Sequence, residues 1–185
     1  MGGDMAAPEL WQGMLDLYSA PGVPDASVNL QDACDADVLL ILTAVLLAQN
    51  GLSLTPALAD RLFAETRVWR REVVVPLRSL RRRWRGRSGA EALRERVKSL
   101  ELDAERSQVG MLQSVLDAES PLSAATAGLE LLHSNCRVAL YGGRGCPACD
   151  AAQAAFCDSV AAWLWPETRP QSPSANPAEN PGVAE

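Results

Sequence analysis

The sequence predicts an all-α protein, a single bundle-like domain of about six or seven helices around a central apolar helix, with a disordered C-terminal tail. Three observations carry this reading. Apolar residues recur at spacings of three, four and seven through most of the chain, the period of one helix face. The only β-branched or aromatic runs, residues 73–75 and 138–141, are too short to build a sheet. Residues 38–48 are apolar on every side of a helix, so other helices must surround that segment.

Pro8 opens a first amphipathic segment with Leu10, Trp11, Met14, Leu15, Leu17 and Tyr18, ended by the Pro21-Gly22 turn. A short second helix is expected over residues 25–33, with Val28 and Leu30 inward. Asp35 or Asp37 can cap the central helix, and Asn50-Gly51 ends it. Thr55-Pro56 starts a long fourth segment carrying Leu58, Leu62, Trp69, Val73, Leu77, Leu80 and Trp84. Pro76 frees the Glu72 carbonyl within it, which predicts a kink or break.

Residues 86–89 read as a hinge, and Ser88-Gly89-Ala90-Glu91 as a capping box. A long helix should follow, with Leu93, Val97, Leu100, Ala104, Met111 and Val115 on its buried stripe. Pro121 should begin a sixth helix through residues 129–132, residues 142–145 read as a glycine-rich turn, and residues 149–165 as a last helix. The helical domain is assigned to residues 1–165. Residues 166–185 hold five prolines among Ser, Asn and Glu and are assigned to the disordered tail.

The chain has 185 residues and a formal charge of −6, enough material for one domain with a core of its own. The sequence shows no secretory signal, myristoylation pattern or stretch of the roughly 20 apolar residues that a membrane span needs, so a soluble cytoplasmic protein is expected. His133 is the only histidine, which excludes paired-imidazole zinc chemistry. Five cysteines in a chain with a real core are expected to be thiols. Charge is segregated: residues 1–60 sum to −8, residues 61–106 to +7 and residues 107–185 to −5. The acidic total argues against general nucleic-acid affinity, while the middle segment taken alone argues for it.

The motif order in the first 115 residues runs from Leu17-Tyr18 and Pro21-Gly22-Val23 through Leu30-Gln31-Asp32 to Asp35-Ala36-Asp37-Val38. It continues with Trp69-Arg70, Val74-Val75-Pro76-Leu77-Arg78, Leu80-Arg81-Arg82, Val97-Lys98, Glu101-Leu102 and Ala104-Glu105-Arg106. This order resembles the domain of unknown function 2390 family of uncharacterised proteobacterial proteins. Leu39 departs from it, since the family pattern tends to a polar residue after the Asp-Val pair. The resemblance implies a small helical bacterial protein and supplies no activity.

Four groups of residues are candidates for function. Asp32, Asp35 and Asp37, with Gln31, could hold Mg²⁺ or Ca²⁺ through oxygen ligands. No second acidic cluster of that kind follows, and two of the three can cap a helix. Pairing with the arginines of the fourth helix is the preferred reading of this cluster. The second group is the array Arg67, Arg70, Arg71, Arg78, Arg81, Arg82, Arg83, Arg85 and Arg87. On an unbroken helix Arg67, Arg71, Arg78, Arg82 and Arg85 would share one face. Such a row suits internal pairing, an acidic protein partner or RNA phosphates, although the aromatic platform expected for single-stranded nucleic acid is missing.

The third group is Cys146-Pro147-Ala148-Cys149, which imitates a thioredoxin-like active site locally but lacks the strands of that fold. With His133 and Cys136 the two thiols could also form a zinc site; simple thiols are preferred. The fourth is Glu101, Asp103, Glu105 and Arg106 on the long helix, read as a solvated charged face. No catalytic set is complete, and no cofactor is implied. The sequence therefore reads as a non-catalytic interaction or adaptor protein. An arginine-lined helix with Arg67, Arg70, Arg71, Arg78, Arg81, Arg82 and Arg85 would meet an acidic partner, with RNA binding or thiol or zinc chemistry as the alternatives.

Overall fold

The computed structural model describes residues 8–119, 121–141 and 147–168. The fold is all-α, and among the described residues the extended backbone amounts to one isolated bridge between Leu52 and Ala124. The helices are α1 (Leu10–Ser19), α2 (Val23–Cys34), α3 (Val38–Gln49), α4 (Pro56–Trp69), α5 (Val75–Arg83), α6 (Glu91–Glu119), α7 (Leu129–Tyr141) and α8 (Pro147–Leu164). A π-helical segment, Arg70–Val74, joins α4 to α5 as one rod. A 3₁₀ turn, Pro166–Thr168, follows α8, and the rest of the segment assigned to the tail, residues 169–185, lies outside the described residues.

Helix α3 is the centre, as its composition requires: every residue from Leu40 to Ala48 is buried. Asp37 caps it by accepting from the backbone N–H groups of Leu39 and Leu40, whereas Asp35 ends α2 in the left-handed region at φ 49°. Helices α1 and α7 flank α3, α8 covers α2, and the α4–α5 rod lies along α6. At Gly13 a Cβ would meet Leu46 Cδ2 at 2.8 Å, so the absent side chain lets α1 approach the core helix closely.

Several local expectations are corrected. At Pro76 the rod does not break; the Val75 N–H reaches back five residues to Arg70 O, and the extra residue in that turn leaves room for the proline ring. One inserted residue turns the following helix by about 100°. The arginines before and after it therefore do not form the single row of an unbroken helix.

Ser88 does not start α6. Gly89, at φ 78°, turns the chain, and the first helical bond runs from Arg94 N–H to Ala90 O. Residues 121–128 are not helical; Ser53 N–H donates to Ser123 O and Ala125 N–H to Gly51 O, which ties this segment to the loop after α3. Residues 142–146, which include the expected glycine-rich turn, lie outside the described residues.

The buried stripe of α6 also differs from the expected one. It consists of Val97, Glu101, Ala104, Gln108, Val109, Leu112 and Leu116, while Leu93 and Leu100 are half exposed. Val97 and Ala104 are buried as expected, and two polar residues, Glu101 and Gln108, hold inward positions outside the expected stripe. Val28, expected inward on α2, faces outward at 41 % exposure, and Leu30 is the buried residue.

Behind α3 a buried amide joins three loops and helices. Asn135 accepts from Leu54 N–H at 2.9 Å and donates to Leu52 O at 2.9 Å and Ala44 O at 3.3 Å. Its amide satisfies backbone groups that the α3–α4 connection leaves open.

Candidate functional site

The π-turn directs successive arginines of the rod to different neighbours. Arg70 Nη2 donates to the Asp35 carboxylate and to its backbone oxygen, both at 2.9 Å, and Arg70 Nε lies 3.8 Å from Asp37 Oδ2. One turn into α5, Arg78 donates through Nε to Glu101 Oε1 at 3.0 Å and through Nη2 to Glu105. Arg81 grips Glu101 through Nε and Nη2. Arg82 closes onto α2, 3.1 Å from Asp32 Oδ1 and 3.2 Å from Gln31 Oε1. Asp32, Asp35 and Asp37 therefore lie against arginines.

Arg67, Arg83, Arg85 and Arg87 are exposed, and among the described residues they form no ion pair. Among the described residues Arg71 forms an ion pair only with its chain neighbour Glu72.

Glu101 and Glu105, read from the sequence as part of a solvated face, are the anionic anchors of the rod. Glu101 is 4 % exposed. Burial alone would raise its carboxyl, but the hydrogen bonds and charges of Arg81 and Arg78 hold it below the ordinary carboxylate value. Glu105 goes the other way: burial outweighs the Arg78 guanidinium and the neighbouring Glu101 charge adds to the rise.

Asp37 is likewise raised by burial, against the pull of Arg70 and a 2.7 Å hydrogen bond from Gln108 Nε2. The signal for these buried polar groups is present in the spacing. Positions 97, 101, 104, 108 and 112 follow one helix face, and the acid and the amide among them face the arginine rod and the cap of α3. Asp103 and Arg106 on the same helix are exposed, Arg106 lying 5.3 Å over the Trp11 ring.

A pocket of about 570 Å³ opens between α1, α2, α3, α5 and α6. Trp11, Met14, Leu15, Val28, Leu39 and Leu102 supply apolar walls, and Arg78, Arg81, Arg82 and Lys98 with Glu95, Glu101 and Glu105 form a charged side. Tyr18 also lines it; partial burial, then the Glu105 charge, raises its phenol, so the hydroxyl stays protonated at neutral pH.

Among the described residues, Cys136, Cys149 and Cys157 do not gather with His133. Cys136 on α7 and Cys157 on α8 are buried thiols, and the neighbouring Cys157 thiol together with burial holds Cys136 well above the ordinary thiol value. Cys149 points its thiol at Ala33 O, 3.9 Å away, and Cys146 lies outside the described residues. Among the described residues no three His, Cys, Asp or Glu side chains gather where they could hold a metal ion. Residues 138–141 lie in α7, so the thioredoxin-like strand is absent. No helix of the described residues is long and apolar enough to cross a membrane.

The family model described as "Protein of unknown function (DUF2390)" matches residues 9–112, more than half of the chain. That span begins just before α1 and ends within α6, so it contains the arginine rod, its acidic anchors and every residue named above around the pocket. No curated protein and no solved structure matches the chain.

Proposed function

The chain belongs to the DUF2390 family, and we propose that it is a non-catalytic cytoplasmic interaction module whose acidic protein partner docks on the arginine tip at the end of α5. The observation that carries this is the contrast within the rod. Arg70, Arg78, Arg81 and Arg82 are committed to carboxylates of the same fold. Arg83, Arg85 and Arg87 crowd three exposed guanidinium groups into a stretch of five residues, with no ion-pair partner among the described residues. Uncompensated charge of that density, on a protein whose total is −6, favours an acidic surface over acids at large and steers its approach. Arg67 and Arg71, also exposed, extend the basic character along the rod.

Fluorescence anisotropy with a labelled glutamate-rich peptide tests the reading, alongside a single-stranded RNA of equal charge. The peptide is expected to bind the wild type, and R83E/R85E/R87E to weaken it tenfold or more while leaving the thermal midpoint unchanged. Tighter binding of the RNA would replace the acidic-protein reading with a nucleic-acid one, and equal peptide affinity in the variant would remove it.

A further inference from the structure

We propose that the pocket between α1, α2, α3, α5 and α6 is a binding site for a small amphipathic anion, an apolar body ending in a carboxylate. Its volume of about 570 Å³ falls within the range of roughly 300–1,000 Å³ typical of small-molecule sites. Exposed apolar side chains concentrate there: Leu15, Tyr18, Val28 and Leu102 are each between 41 % and 50 % exposed and all line it. Scattered apolar residues on a surface need no explanation, whereas a cluster around a concavity marks a place for apolar matter.

The charged side selects the sign of the ligand. Four cations face three carboxylates. Glu101 and Glu105 are already taken by Arg78 and Arg81, so they present little unanswered negative charge. The other two cations are held loosely. Arg82 pairs with Asp32 at 3.1 Å, both side chains about half exposed, and Lys98 sits 3.7 Å from an exposed Glu95.

Exposed pairs of this kind are worth little, so an entering carboxylate can take the place of Asp32 or Glu95. The sign is set by the net charge: with Asp32 beside Arg82 and Arg94 beside Glu95 counted, five cations stand against four carboxylates, so the rim favours an anionic head group. The apolar body then covers Leu15, Val28 and Leu102 while the head group meets α5 and α6 at the rim. This site is separate from the arginine tip, and neither proposal depends on the other.

Calorimetric titration of the full chain with decanoate and decyltrimethylammonium, each below its micelle concentration, and with decanol below its solubility limit, tests the site. Decanoate is expected to bind once per chain and at least tenfold more tightly than either of the others. R82A/K98A should remove that preference, and V28W, which places a bulky ring at the mouth, should abolish binding; both change exposed residues. R83E/R85E/R87E should leave decanoate binding intact. The proposal is overturned if decanoate does not bind, if the three amphiphiles bind alike, or if both pocket variants keep wild-type affinity while remaining folded by circular dichroism.

Discussion

Arg78 Nε donates to Glu101 Oε1 at 3.0 Å, and this contact between residues 23 apart joins the end of the rod to the middle of α6. Arg81 takes the other carboxylate oxygen, so one buried acid answers two guanidinium groups. Removing a single member of such a group leaves its partners charged and partly desolvated, which typically costs about 3–5 kcal/mol. E101A is therefore expected to lower the unfolding free energy by about 3 kcal/mol, measured by urea denaturation. The cycle through R78A and R78A/E101A should show that the two losses are far from additive. A loss near zero would mean that the pair is solvated.

Two carboxyl groups in the same region should respond to pH with opposite signs. Glu101 lies below its ordinary value of 4.5 because its hydrogen bonds from Arg81 and Arg78 outweigh burial. Its contribution is present above pH 4.5 and is lost as the pH falls through the native value. Asp37 lies above its ordinary value of 3.8, chiefly through burial, so its contribution is largest below pH 3.8 and declines as the pH rises through the native value. D37N keeps a capping oxygen for α3 and should gain stability relative to wild type between pH 4 and pH 7. E101Q should lose the acid-induced fall below pH 4.5. Denaturation curves across that range check both, and a D37N advantage that shrinks with rising pH would contradict the burial argument.

Asn135 sits where no water is expected, at 0 % exposure, and serves three backbone groups from α3 and the loop after it. An unsatisfied buried donor or acceptor costs about 1–3 kcal/mol. N135A is expected to destabilise by about 3 kcal/mol, while S134A, on the exposed side of the same helix, should change stability by less than about 0.5 kcal/mol. Hydrogen exchange at Leu54 N–H should accelerate only in the first variant.

The parts legible in the sequence are those governed by one local rule. A segment apolar on every side has no surface to show, so α3 is central. Asp37 precedes it with the side chain a cap needs, and the segregation of acids from arginines foreshadows pairs such as Arg70 with Asp35. The illegible parts depend on partners far away in the chain. Glu101 and Gln108 look like solvated residues until the arginine rod and the α3 cap are placed against them, and their inward positions displace Leu93 and Leu100 from the stripe.

The π-turn at Arg70–Val74 is one way among several of accommodating Pro76, and both halves of the rod that it joins pack against α6, a partner that local sequence does not reveal. Periodicity likewise leaves residues 121–128 ambiguous, because their place is decided by hydrogen bonds to Gly51 and Ser53. The pocket assembles from five helices, none of which carries its outline alone.

The register of α6 can be tested with two leucines on that helix. Leu112 is fully buried in the core and Leu100 is 55 % exposed, although the helical spacing of Leu93, Val97, Leu100 and Ala104 predicts Leu100 inward. Truncating a buried leucine to alanine removes its transfer energy and leaves a cavity, a loss of about 2–5 kcal/mol, whereas an exposed leucine away from special contacts changes stability by about 0.5 kcal/mol or less. L112A should therefore lower the urea midpoint strongly with an unchanged slope, and L100A should leave it nearly in place. The same comparison distinguishes the two stripes directly: if Leu100 were on the buried face, L100A would be a costly substitution as well.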